Sequence, residues 1–226
     1  MKRYFTIIVC LVLALLLWGC KQNTTPDETT AATTDETVAA TPTGEPLTEE
    51  ELRWFDEEFF SNVNLDEQGN RVFNIRNMFL RCEFDAPENI DLGLLFREGL
   101  GEYDAVSQEE IALYNEALGI ELGLDYTKIT REDMDALFLA NTGLHPDETA
   151  KVGLDKLVYL EQYDAYYHCH GDTAYLYPEI YSGERAEDGT VTLHYQEGPI
   201  SFSSLWCVTL KPAGDTYHFV SNLPAE

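Results

Sequence analysis

Basic residues are scarce in this sequence. Its 226 residues include 14 Lys and Arg against 41 Asp and Glu, which gives a formal net charge of −27. A protein that holds DNA or RNA needs a basic stripe to neutralise the phosphates. Because this sequence offers no such stripe, we expect no nucleic-acid partner.

The motifs of several common enzyme classes are also missing. There is no G-x-S-x-G elbow, no S-x-x-K and no glycine-rich phosphate loop. The segment 62–67 is not an EF-hand loop, because Glu67 stands where that loop requires glycine. A glycosidase with paired carboxylates stays open, since such pairs converge only in the folded chain.

Cysteine is rare, with five residues in the chain. Cys10 and Cys20 lie within the first 20 residues, so Cys82, Cys169 and Cys207 remain for the rest of the chain. An odd count means that at least one of the three is unpaired within the chain or bonded to another chain. Their spacing is not compact, so one bridge and buried thiols are both open.

The sequence has a single long hydrophobic run, and it is too short to span a bilayer. Residues 4–18 are mostly apolar and follow the positive Met1-Lys2-Arg3, whereas a membrane-spanning helix needs about 20 residues. A short positive start followed by such a run is typical of a secretory signal. We therefore predict that residues 1–19 are a signal peptide.

The end of this run, Leu17-Trp18-Gly19-Cys20, resembles the lipobox of bacterial lipoproteins, although Trp18 is bulkier than the usual residue at its position. The resemblance implies that Cys20 carries a diacylglyceryl thioether and becomes the N-terminus after cleavage. Two or more acyl chains give durable anchoring, so the membrane is the expected partner of this end. It further implies a lipid-anchored position on the outer face of the cytoplasmic membrane. The alternative is an ordinary secretory signal with an incidental cysteine.

Residues 20–46 are predicted to form the lipidated cysteine and a disordered tether. From 21 to 46 the chain has nine Thr and three Pro but no aromatic residue, Leu or Ile. Such a composition buries too little apolar surface to offset the entropy of ordering. As a coil it would span roughly 25 to 30 Å, enough to hold a domain just off a membrane.

Residues 47–226 are predicted to form one globular α+β domain, an N-terminal helical part packed on a small C-terminal antiparallel β-meander. Capping boxes at Thr48 and Ser107 and a similar cap at Thr130 mark helix starts, and apolar spacing adds further helices. After about residue 173 the pattern alternates, with turns at 187–189 and 212–215. The expected helices cover 48–60, 72–84, 90–97, 107–118, 130–142 and 154–167, and the expected strands cover 190–195, 205–211 and 216–222.

Four segments together resemble a group of uncharacterised lipoproteins of gut Firmicutes. They are Asn77-Met78-Phe79-Leu80, Tyr163-Asp164-Ala165-Tyr166-Tyr167, His170-Gly171-Asp172-Thr173 and Phe219-Val220-Ser221-Asn222-Leu223. The resemblance spans most of residues 47–223. It implies a Gram-positive surface location and carries no assigned chemistry.

One cluster could hold a metal ion. If the chain is extended there, His168, His170 and Asp172 point to the same side, and two imidazoles with a carboxylate suit Zn²⁺ or Mn²⁺. The spacing is similar to part of the ligand motif of metallo-β-lactamase-like hydrolases, but Thr173 replaces the following histidine. The other interpretation is a junction whose histidines bond to backbone. Cys169, between the two histidines, is a further candidate as an activated thiol.

Tyrosines crowd the same junction, and they favour binding over catalysis. The chain has 13 Tyr, and the candidate binding surface consists of Tyr163, Tyr166, Tyr167, Tyr175 and Tyr177, with Tyr181 nearby. Tyrosine supplies a large contact area at low entropic cost. We therefore expect a surface module that binds a glycan or a protein and needs no cofactor. The alternative is a hydrolase that uses a divalent metal at the His-x-His-x-Asp cluster.

Overall fold

The computed structural model describes residues 44–65, 71–99, 106–121, 125–170, 177–197 and 205–225. The predicted signal peptide, Cys20 and nearly all of the tether lie outside these ranges. None of the helices within them has both the length and the apolar composition that crossing a bilayer requires. The fold has a few helices and mostly antiparallel strands, so the coarse prediction of an α+β domain is confirmed.

The first half of the described chain is a series of short helices and strands that ends with the longer helix α4. They are β1 (Glu45–Pro46), α1 (Glu49–Trp54) with a π-helical turn (Phe55–Phe59), β2 (Val63–Leu65), β3 (Arg71–Phe73), α2 (Ile75–Phe79), a 3₁₀ turn (Pro87–Asn89), α3 (Leu92–Leu95) and α4 (Gln108–Leu118). Thr48 and Ser107 close capping boxes at α1 and α4, as predicted. Gly119 ends α4 with a φ of 68°, a conformation that glycine adopts without a Cβ penalty.

The described elements of the second half are most of the strands, one helix and three 3₁₀ turns. They are β4 (Asp125–Thr130), α5 (Arg131–Thr142), 3₁₀ turns at Pro146–Glu148 and Leu154–Lys156, β5 (Val158–Leu160), a 3₁₀ turn (Glu161–Tyr163), β6 (Ala165–His170), β7 (Pro178–Arg185), β8 (Val191–Glu197), β9 (Leu205–Ala213) and β10 (Thr216–Pro224). Thr130 caps α5 as predicted, since its side chain accepts a hydrogen bond from the Asp133 amide.

Two larger sheets organise most of the described strands, and β2 and β3 pair in a separate two-stranded sheet. The first has the order β1-β7-β8-β9-β10, in which β7 to β10 follow one another antiparallel, and the second has the order β4-β6-β5. The inner face of the five-stranded sheet packs on phenylalanines, and the rings of Phe79 and Phe219 stack 4.2 Å apart. Phe55, Phe59 and Phe60 complete this aromatic centre, and each is 1 % exposed.

Two expectations about the chain are wrong. The predicted helix over 72–84 is a strand followed by one helical turn at Ile75–Phe79, because its residues lack a 3.6-residue period. The predicted helix over 154–167 consists of 3₁₀ turns and the strands β5 and β6, where tyrosines and valine favour a pleated surface. Just before the predicted domain start at Leu47, Glu45 pairs with Arg185 and Pro46 with Glu184 of β7.

Candidate functional site

Strand β6 is the centre of the three-stranded sheet, and its two faces have different surroundings. Tyr166 lies opposite Ile129 of β4 and Tyr159 of β5, and its ring packs against the large core. Tyr167, the next residue, points to the other face, where it packs with Tyr114 of α4 in a second, smaller core. Successive residues of a strand point to opposite faces, so the neighbouring tyrosines cannot form one surface.

The α4 face of this sheet contains a buried ion pair. Glu110 Oε1 accepts hydrogen bonds of 2.6 Å from Lys128 Nζ and from the Tyr167 hydroxyl, and Oε2 accepts one of 2.7 Å from the Ser107 amide. Burial opposes the charge of Glu110, but these donors outweigh it and lower the pKa of Glu110 to about 2. Burial and the bond to Glu110 raise the pKa of Tyr167. Lys128 Nζ also lies 5.7 Å from the centre of the Tyr163 ring.

The other face of the sheet borders an open pocket of about 220 Å³, which we call the Arg131 pocket. Side chains from α5, from the two turns after it and from β6 meet there. The lining residues are Arg131, Met134, Asp135, Pro146, Asp147, Lys151, Leu154 and Tyr166. The pocket therefore combines an aromatic ring, three apolar side chains, two cations and two carboxylates.

Three of the four charged groups that line the pocket are linked to one another. Asp147 Oδ1 accepts a 2.6 Å bond from Lys151 Nζ, and its Oδ2 lies 3.7 Å from Arg131 Nη2. The bond from Lys151 lowers the pKa of Asp147. The interaction of Arg131 with the Tyr159 hydroxyl, together with the charge of Asp164, raises the pKa of Arg131. These contacts orient Arg131, Asp147 and Lys151 at the pocket rim.

The backbone around the pocket is strained at two positions. Within the described ranges, Lys151 with a φ of 54° and Asp164 with a φ of 46° are the non-glycine residues in the left-handed region. Both interact with the charge network around Arg131, and the Asp164 carbonyl accepts a 2.9 Å bond from the Arg131 amide. Residues held in sparsely populated conformations cluster at functional sites. Lys151 lines the pocket itself, whereas Asp164 contacts it through Arg131.

A second described pocket is larger but has no such features. It measures about 280 Å³ and is lined by Glu45, Pro46, Leu47, Thr48, Glu51 and Arg185. It contains no aromatic side chain, and its polar groups are the capping box of α1 and the 2.7 Å pair between Arg185 and Glu51. Its chemistry is explained by the helix start that it surrounds.

The sequence-predicted tyrosine surface is only partly a surface. Tyr166 lines the Arg131 pocket, and Tyr177, the residue before β7, is 64 % exposed. Tyr167 is 1 % exposed, so its place in a binding surface is wrong, because its ring and hydroxyl are committed to the α4 face. Tyr163 lies on that same face. Tyr175 lies outside the described residues.

The predicted metal ligands are described only in part. His168 and His170 occupy alternate positions of an extended strand, opposite Thr127 and Asp125 of β4. The side chain of His170 and all of Asp172 lie outside the described residues. Within those residues, no group of three His, Cys, Asp or Glu side chains is placed to hold a metal ion. The metal site stays a prediction.

The cysteines of the described chain form no disulfide with one another. Cys82 is fully buried, and burial raises the pKa of its thiol to about 12, so it is a structural thiol. Cys207 lies opposite His194 on the five-stranded sheet, and burial raises the pKa of its thiol as well. The alternative of buried thiols is therefore the one that the structure supports for Cys82.

Five residues around the pocket were missed by the sequence analysis: Tyr159, Arg131, Asp147, Lys151 and Asp164. They come from separate elements, so no spacing in the sequence links them. A usable signal was the scarcity of cations, since residues 47–226 contain 11 Lys and Arg and two of them line this pocket. No protein-family model matches this chain, and no curated protein or solved structure matches it either.

Proposed function

We propose that this protein is a surface-anchored bacterial lipoprotein whose folded domain binds a neutral sugar in the Arg131 pocket and does not catalyse. The lipobox-like Leu17-Trp18-Gly19-Cys20 and the threonine-rich segment after it support anchoring on the outer face of the cytoplasmic membrane. The resemblance to lipoproteins of gut Firmicutes supports a Gram-positive surface. Neither a nucleic acid nor a resident cofactor is part of this proposal.

The observation that carries the binding function is the meeting of Tyr166 with the linked charges of the pocket. A tyrosine ring offers a flat apolar face to the C–H face of a sugar ring. Arg131 and Lys151 have more N–H donors than their ion pairs use, and Asp135 and Asp147 are acceptors. A few placed polar groups around an apolar wall are the usual composition of a small-molecule site.

Charge favours a neutral ligand over an anion. The two cations of the pocket lining are matched by two carboxylates, so the lining has no net charge. An anion would have to displace Asp147 and would approach a domain with 36 acidic and 11 basic residues between 47 and 226. A neutral polyhydroxylated ligand can donate to the carboxylates and accept from the cations without breaking their pairing.

The test is calorimetric titration of the purified full chain with glucose, galactose and N-acetylglucosamine. We expect one of them to bind, and the variant Lys151→Ala to weaken that binding about fivefold through the loss of a hydrogen-bond donor. Lys156→Ala is the matched control, because Lys156 is an exposed lysine that pairs with Asp91 outside the pocket lining. Binding of none of the three sugars, or equal effects of the two variants, would contradict the proposal.

A metal-dependent hydrolase is the second candidate. The observation that favours it is that β6 places His168 and His170 at alternate positions, with Asp125 opposite His170. Zn²⁺ or Mn²⁺ at about 100 times its Kd should then stabilise the chain by about 2.7 kcal/mol relative to chelator. The stabilisation should vanish in the double variant His168→Ala/His170→Ala and persist in His194→Ala, a histidine of the five-stranded sheet. No change in melting temperature with either metal would remove this candidate.

A further inference from the structure

An aromatic surface continues outward from the Arg131 pocket. Tyr159, on the short edge strand β5, lies beside Tyr166 with ring centres 4.9 Å apart and planes inclined by 44°. Its side chain is not part of the pocket lining, and Tyr159 is 40 % exposed. A flat ring is therefore offered to solvent next to the one that borders the pocket.

Polar groups accompany this second ring as they do the first. The Tyr159 hydroxyl donates a 2.5 Å hydrogen bond to Asp164 Oδ1, and Arg131 Nε lies 4.0 Å from the same oxygen. The Asp164 side chain is 66 % exposed, so its second oxygen can accept from a ligand. The left-handed backbone of Asp164 holds this carboxylate between Tyr159 and Arg131.

The pocket is large enough for about one small ring. Its volume of about 220 Å³ is below the range of about 300 Å³ and more that drug-sized ligands occupy. A longer ligand must therefore leave the pocket, and Tyr159 is the exposed aromatic side chain that contacts Tyr166. The apolar side of the pocket, formed by Met134, Pro146 and Leu154, suits the methyl group of an acetamido substituent.

We infer that the site takes the chain end of an oligosaccharide of N-acetylated sugars, with one unit in the Arg131 pocket and the next unit stacked on Tyr159 and hydrogen-bonded to Asp164. This inference rests on the proposed sugar-binding function and extends it from a single unit to two. Arg131 lies between the two units and contacts the carboxylates of both, Asp147 and Asp164.

The test is titration of the full chain with N-acetylglucosamine and with its β-1,4-linked dimer and trimer. We expect the dimer to bind about tenfold more tightly than the single sugar, and the trimer to add little. Tyr159→Leu, which keeps an apolar side chain on β5 but removes the flat ring, should reduce the dimer to the affinity of the single sugar. Tyr159→Phe, which keeps the ring, should retain most of the gain.

Controls separate this inference from the proposed function. Tyr181→Ala removes a tyrosine that is 47 % exposed on the five-stranded sheet, and it should change neither affinity. If the unmodified chain bound the dimer and the single sugar equally, the second sugar subsite at Tyr159 would be contradicted, whereas the proposal of sugar binding in the pocket would stand. Failure of all three probes to bind would overturn this inference, and the pocket proposal would fall with it only if glucose and galactose also fail to bind. A melting curve of each variant checks folding, and Tyr159→Phe still tests the ring if Tyr159→Leu does not fold.

Discussion

The five-stranded sheet and the three-stranded sheet differ in which residues take positive φ angles in the turns around them. The five-stranded sheet joins β7 to β8 and β9 to β10 through turns in which Gly189 and Gly214 take the positive φ angles. The turns around the three-stranded sheet also use glycine, at Gly143 and Gly153, but they add Lys151 and Asp164 at such angles. Glycine adopts this conformation without strain, whereas other residues pay for it. The difference indicates that a side chain occupies a positive-φ position where it contributes to the charge network around the pocket.

The two regions also differ in how they hold charge. The pair between Glu51 and Arg185, beside β7, has side chains that are 34 % and 37 % exposed. The pair between Glu110 and Lys128, on the three-stranded sheet, has side chains that are 5 % and 25 % exposed. A buried carboxylate depends on its partners far more than an exposed one does. Removing the carboxylate should therefore lower the free energy of unfolding much more in the three-stranded region than beside β7.

The largest effect is expected for Glu110→Ala. The substitution leaves Lys128 without its carboxylate and removes the acceptor of the buried Tyr167 hydroxyl, so the free energy of unfolding should fall by about 3–5 kcal/mol. Glu51→Ala removes the same chemical group and a capping-box partner, but it should cost about 1 kcal/mol. Urea unfolding measures both, and equal losses would show that the two pairs do not differ in kind.

The local parts of the fold could be predicted because their signals are local. The capping boxes at Thr48 and Ser107 and the glycine turns at Gly189 and Gly214 lie within a few residues of the elements that they limit. The three-stranded sheet was missed because β4 and β6 pair across the whole of α5 and the turns that follow it. The short run Val158–Leu160 is compatible with either a strand or a helix.

The candidate site was predicted less completely than the fold. The density of tyrosines led to Tyr166 but also to Tyr167, since sequence alone could not show which of two neighbours faces the α4 side. Arg131, Asp147 and Lys151 meet only in space, because turns without a recognisable spacing bring them together. Charge patterns across separate elements become visible only once the chain is folded.

Acid titration sharpens the comparison between the two carboxylates. The pKa of Glu110 is lowered to about 2 from an ordinary value of 4.5, and that of Glu51 is lowered to about 2 chiefly by the Thr48 amide and Arg185. Because each folded pKa lies below its unfolded value, the stability is present above pH 4.5 and is lost as the pH falls towards 2. For the buried Glu110 this loss is about 3 kcal/mol.

The measurement is the free energy of unfolding between pH 6 and 2, at low and at 1 M salt. Glu110→Gln should flatten the acid limb at both salt concentrations, because the buried pair is poorly screened. Glu51→Gln should flatten it at low salt and have much less effect at 1 M, because its pair is exposed to counter-ions. The comparison would fail if high salt abolished both effects alike.

The smallest effect is a gain in stability, and it tests whether backbone strain is stored at the pocket. Lys151→Gly relieves a φ of 54° but gives up the exposed pair with Asp147, so it should stabilise the chain by about 0.5 kcal/mol while weakening sugar binding. Gly214→Ala is the opposite exchange in the β9–β10 turn, where nothing lies within 4 Å of an added Cβ, and it should cost about 1 kcal/mol. Thermal unfolding of the two variants, with titration of Lys151→Gly, measures both. If Lys151→Gly destabilised the chain as Gly214→Ala does, the lysine would stabilise the fold. Its positive φ would then store no strain and would not mark a binding site.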